Sequence, residues 1–135
     1  MDRQGKEQHL LCSQMVTLQV QPKSGRLRKL AANLEEIWPS GACLQTDGRI
    51  PRLSRVRFAC GGFEGRGKIV TRTFLKGLGY FVEVRFDRRC RWSEAHYRPE
   101  HLLNPLILLA NRVFETTPRV RLISTVWLKA QPAEP

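Results

Sequence analysis

Short alternating segments, each closed by a turn bearing glycine or proline, recur along most of this chain and constrain its fold more than any other feature. Met15-Val-Thr-Leu-Gln-Val20, Ala42-Cys-Leu-Gln-Thr46, Arg55-Val-Arg-Phe-Ala-Cys60 and the stretches 67–75 and 80–86 are rich in β-branched and aromatic residues. An apolar period of two is the signature of a strand with one face buried. Pro22-Lys-Ser-Gly25, Pro39-Ser-Gly41, Asp47-Gly48, Gly61-Gly-Phe-Glu-Gly65 and Lys76-Gly-Leu-Gly79 supply the turns, the last joining two strands as a hairpin. Strands recurring every 10–15 residues or so with glycine-rich turns predict a small antiparallel barrel or sandwich.

One segment resists this reading. In Arg26-Leu-Arg-Lys-Leu-Ala-Ala-Asn-Leu-Glu-Glu-Ile37, the residues Leu27, Leu30, Ala31, Leu34 and Ile37 fall at helical spacing behind Ser24, a possible cap. Periodicity alone therefore favours a helix. Leu30, Ala32 and Leu34 also alternate, the segment lies between two strand signals, and a helix of this length is marginal without a face to pack on.

At 135 residues the chain is long enough for one domain, and with 41% hydrophobic residues it can build a core without metals or disulfides. Residues 1–13 are polar and of mixed charge and are expected to be a flexible arm. Residues 14–115 form the predicted barrel domain. Its capping helix starts at Asn104-Pro105, a good N-cap and N1 pair, and runs through Leu106-Ile-Leu-Leu-Ala-Asn-Arg-Val-Phe114. Residues 116–135 are a tail in which Val120-Arg-Leu-Ile-Ser-Thr-Val-Trp-Leu128 alternates again, as an added strand or a segment ordered by a partner.

The N-terminal MDRQGKEQHL lacks an apolar signal core, and no stretch reaches the roughly 18 apolar residues of a membrane span. A cytoplasmic protein with no membrane contact is expected. Cys12, Cys43, Cys60 and Cys90 follow neither a paired metal-binding spacing nor a compact disulfide framework, and read as reduced, buried hydrophobes.

Little in the sequence suggests catalysis. His96 and His101 are five apart across Pro99, the wrong spacing for a metal pair on one helical face. No G-x-S-x-G elbow is present. Glu35 and Glu36 are adjacent, so in a regular strand they point to opposite faces and could not flank one substrate bond. The glycines at 61, 62, 65 and 67 lack the Lys-Ser/Thr of a phosphate loop and read as turn residues. The expectation is a protein that is not an enzyme and carries neither metal nor cofactor.

Charge is the remaining signal. The net charge is +11, and between residues 49 and 91 there are twelve basic residues against three acidic ones, so nine of the eleven net charges lie in the middle of the chain. Arg55 and Arg57 share the outer face of their strand and start a basic stripe. At low salt such a field binds polyanions nonspecifically. Trp38, Trp92 and Trp127 read as core or interface anchors. Trp92, next to Arg91 after a basic run, is the one candidate for stacking on a base, while Phe58, Phe74, Tyr80 and Phe86 are expected in the core.

The stretch Leu34-Glu-Glu-Ile-Trp-Pro-Ser-Gly-Ala-Cys-Leu-Gln45, then a turn, Arg55-Val-Arg-Phe, Gly67-Lys-Ile-Val and Tyr80-Phe-Val-Glu-Val-Arg-Phe86, resembles the PilZ family, over about residues 13–114. That family consists of small six-stranded barrels that bind the second messenger cyclic di-GMP. The resemblance implies that 28–37 is a strand leading into the family's D/N-x-S-x-x-G motif, whose place is taken here by Glu36-Ile-Trp-Pro-Ser-Gly41. Gly41 matches, Glu36 keeps a carboxylate one methylene further out, and Trp38 puts an indole where the motif has a small hydroxyl, filling or blocking the place of a guanine edge. The family's R-x-x-x-R pair is reduced to Arg3, followed by Lys6 and Glu7. The resemblance thus implies a ligand site at Arg3, Glu36 and Gly41 with weakened affinity, because charge-assisted hydrogen bonds worth about 1.5–3 kcal/mol each are missing.

Three readings follow. The first is a PilZ-like regulatory module that binds cyclic di-GMP weakly, or has lost it and acts through protein contacts. The second is a small basic β-barrel that binds nucleic acid along the stripe begun by Arg55 and Arg57. The third is an adaptor that adds its tail strand to a partner protein's sheet.

Overall fold

The computed structural model describes residues 7–105, in which six strands close into one antiparallel barrel. They are β1 (Leu10–Gln21), β2 (Arg28–Trp38), β3 (Gly41–Thr46), β4 (Arg55–Cys60), β5 (Phe63–Leu75) and β6 (Gly79–Phe86). Around the barrel the order is β1-β2-β3-β6-β5-β4, with β4 returning to β1. The chain thus makes two three-strand meanders, joined side by side through β3–β6 and β1–β4.

Alternation in sequence becomes alternation in burial. In β4, Val56, Phe58 and Cys60 point inward while Arg55, Arg57 and Ala59 face out. The inward set, led by Leu18, Val20, Leu34, Leu44, Phe58, Ile69, Val82 and Val84, makes one continuous core. Both ends are closed by connections. Ile50, fully buried, seals the side where the chain crosses from β3 to β4, and Ser54 closes that crossing by bonding to Pro51 O. After β6, Cys90 and Trp92 fold into the core at the opposite end, where the Trp92 indole N–H donates to Tyr97 O at 2.8 Å. Trp92 is therefore an internal anchor and not a stacking platform.

The six-stranded antiparallel barrel agrees with the sequence reading, and three details differ. β1 begins at Leu10, so residues 10–13, assigned above to a flexible arm, are strand, and Leu11 bridges to Leu103. β5 begins at Phe63, so only Gly61 and Gly62 turn the chain, while Gly65 and Gly67 lie within the strand. A Cβ on Gly65 would meet the Phe58 ring at 2.7 Å, and one on Gly67 would lie 2.0 Å from Arg85 O, so both are packing glycines. Phe74 is 49% exposed and its ring meets that of the half-buried Tyr80 near the β5–β6 hairpin, so both lie outside the core. The capping helix from 106 onward, the tail 116–135 and Arg3 lie outside the described residues.

The ambiguous 28–37 segment is strand β2, and a β-bulge accounts for the last helical step in its pattern, from Leu34 to Ile37. Leu34 pairs with Leu44 and Ile37 with Ala42, all four fully buried, so Glu35 and Glu36 together occupy the outward step between them. The extra residue makes two core positions three apart, which is the helical spacing. Leu27, which a helix would have buried, is 54% exposed.

Candidate functional site

The bulge that disguises β2 also builds the most distinctive place on the surface. Because Leu34 and Ile37 are both inside, Glu35 and Glu36 are both turned away from the core, and the expectation that adjacent residues face opposite sides fails here. Two residues further on, Trp38 also faces away from the main core cluster, yet it is buried, 7% exposed, and pairs with Gly41 across the two-residue Pro39-Ser40 turn. Its indole lies against Gly41. A Cβ at that position would sit 2.9 Å from Trp38 Cε2 and Cζ2 and 2.5 Å from Val84 O, so only glycine fits beneath the ring.

The segment preceding β1 folds over this hairpin. The imidazole of His9 stacks on Trp38, with ring centroids 3.9 Å apart and planes 7° from parallel. His9 Nδ1 lies 2.6 Å from Glu36 Oε2 and donates to it, although the Glu36 side chain is only 6% exposed. Glu7 anchors the same segment, accepting from the Ser40 hydroxyl and, at 3.3 Å, from Arg91 Nη2. A planar heteroaromatic ring is thus both stacked and hydrogen-bonded at the place where the sequence put Glu36 and Gly41.

Beside it lies a cleft of about 350 Å³ on the outer face of β3, β5 and β6, lined by His9, Glu36, Trp38, Cys43, Phe81 and Glu83. Its electrostatics are acidic. Burial pushes the Cys43 thiol well above its ordinary value, and the carboxylates of Glu36, Glu35 and Glu83 push it further. Burial also raises the Glu35 carboxyl, against the opposing effect of the Asn33 amide, which donates to Glu35 Oε2 at 2.7 Å. Such a lining favours the hydrogen-bond donor edge of a ligand over its phosphates.

Of the predicted residues, the structure brings Glu36 and Gly41 together on one hairpin. Arg55 and Arg57 lie across the barrel on β4, each bound to a carboxylate: Arg55 to Asp87 at 2.6 Å and Arg57 to Glu64 at 2.9 Å. His9, Glu7 and Arg91 escaped the sequence reading, because their roles depend on how the chain folds back over the hairpin. Cys12, Cys60 and Cys90 are buried and all four cysteines are free. Among the described residues no group of His, Cys, Asp and Glu could hold a metal ion, and no helix is long and apolar enough to cross a membrane.

Comparisons with protein-family models, with curated proteins and with solved structures find no counterpart to this chain. What the site does must be read from its own chemistry.

Proposed function

We propose that the protein is a non-enzymatic, PilZ-like regulatory module whose nucleotide position, at Glu36, Trp38 and Gly41, is filled in the free state by its own His9. One observation carries this reading: an N–H-bearing aromatic ring lies parallel to Trp38 while donating to the buried carboxylate of Glu36. A guanine base presents the same combination, a π-face for stacking and a donor edge for a carboxylate. The order of strands and the position of the motif hairpin between β2 and β3 support the same reading.

The site differs from a strong receptor in two ways. A ligand must first displace His9, and Glu7 brings a carboxylate to a segment where phosphates would need cations. Cyclic di-GMP is therefore a weak ligand, with a dissociation constant above the micromolar range, and binding is coupled to release of the segment before β1.

Calorimetric titration of the full chain with cyclic di-GMP, and with cyclic di-AMP as the control lacking the guanine donor edge, tests this. His9→Ala should tighten binding of the guanine ligand about 5–30-fold, the factor released when a competing contact of about 1–2 kcal/mol is removed. Absence of binding to His9→Ala at millimolar ligand, or equal affinity for both dinucleotides, would overturn the reading.

A further inference from the structure

On the opposite side of the barrel the outward faces of β4, β5 and β6 carry an arrangement that sheet stability disfavours. Arg57 stands directly across from Arg66, Arg55 from Lys68, and Lys68 from Arg85. All five side chains belong to exposed residues. Like charges in direct cross-strand register weaken a sheet. Only two carboxylates answer them, Asp87 on Arg55 and Glu64 on Arg57, and among the described residues Arg66, Lys68 and Arg85 form no ion pair. Beside this row runs a groove of about 390 Å³ in which Gln19 and Gln21 join Arg55, Arg57 and Arg66.

We propose that this face binds the phosphate backbone of duplex nucleic acid without reading its bases. Arg55, Lys68 and Arg85 stand on three neighbouring strands, spanning about 10 Å. A nucleic acid strand carries a phosphate about every 3.4 Å along the axis, so the row meets several. Guanidinium groups bind phosphate oxygens bidentately, and the Gln19 amide adds a neutral donor at the groove, whereas the Gln21 amide donates to Pro22 O and Gly25 O. A single-stranded ligand would need aromatic platforms, and the outward positions of these strands in the row hold none. A bilayer surface would call for apolar side chains beside the cations. The groove's apolar lining is Leu27 and the buried Val56, while Phe74, Leu78, Leu53 and Met15, the other exposed large apolar residues, line none of it. The proposal does not depend on the cyclic di-GMP reading, because the two surfaces share no residue.

The test is fluorescence anisotropy of a labelled duplex of about 20 base pairs with the full chain, across about 50–200 mM salt. Arg66→Gln with Lys68→Gln should reduce the slope of log affinity against log salt by about two, and weaken binding at least tenfold at the low end. Its melting temperature should be equal or higher, since repulsion is relieved. Lys23→Gln with Arg26→Gln removes the same charge from the exposed β1–β2 turn and should leave the slope unchanged. An equal fall in slope for both double variants would reduce the effect to net charge and overturn the proposal. So would binding to phosphatidylserine vesicles that depends on Arg66 and Lys68 when duplex binding does not.

Discussion

Replacing His9 by alanine removes one ring and exposes how the segment before β1 is held. The Glu36 carboxylate, on a residue 4% exposed, has His9 Nδ1 as its hydrogen-bond partner at 2.6 Å. Leaving such a group unsatisfied costs about 1–3 kcal/mol. Loss of the parallel contact with Trp38 adds about 0.5–1.5 kcal/mol. His9 is itself 40% exposed, so water reaches the orphaned carboxylate in the variant and the sum settles toward the lower end, about 2 kcal/mol. For a domain of this size that is a fall of roughly 8–16 °C in melting temperature, out of a total stability of about 5–15 kcal/mol. Urea unfolding followed by tryptophan fluorescence, with a double-mutant cycle through Glu36→Gln, measures it. The cycle should give a coupling of about 1–2 kcal/mol between the two positions. A His9→Ala variant within about 0.5 kcal/mol of the parent, or strictly additive effects, would show that His9 does not occupy the site in solution.

Four further outcomes are expected. Gly67→Ala should prevent folding or lower the melting temperature by more than 10 °C or so, because its Cβ would meet the Arg85 carbonyl oxygen at 2.0 Å where β5 and β6 approach; circular dichroism checks it. Burial lifts the Cys12 thiol from 9.0 to about 12 and the Cys60 thiol to about 11, so in the native protein neither should react with a thiol reagent near neutral pH. Because both thiols hold their protons more tightly when folded, their contribution to stability is full below pH 9.0 and is lost as pH rises toward 11 and 12, so melts at increasing alkaline pH should show falling stability. Trp92→Phe deletes the N–H donated to Tyr97 O and should cost about 1–2 kcal/mol in a chemical denaturation series.

The barrel was largely legible because strands with one buried face write their period into the sequence, as Arg55 to Cys60 does without exception. Where the chain departs from period two, legibility fails for a physical reason. The bulge at Glu35 inserts a residue and gives the end of a strand a helical step, against which stood the alternation of Leu30, Ala32 and Leu34, the strand signals on either side and the marginal length of such a helix. The extent of β5 was hidden because Gly65 and Gly67 carry turn residues' identity while serving the close packing of Phe58 and Arg85. Of the candidate site, Glu36 and Gly41 could be named from their order along one hairpin. His9 and Arg91 are 27 and 55 residues from Glu36 and touch the hairpin region only through tertiary folding, so no local signal marks them.

On the proposed reading, His9 holds the place of a base on Trp38 and Glu36. Amide and indole N–H nuclear magnetic resonance spectra of the full chain, recorded as cyclic di-GMP is added, test it most directly. The largest shifts should fall on His9, Glu36, the Trp38 indole and Gly41, with the His9 signals moving toward those of an unstructured chain as the ring is displaced. Shifts confined to Arg55, Arg66 and Lys68, or a spectrum unchanged at saturating ligand in both the parent and His9→Ala, would contradict it.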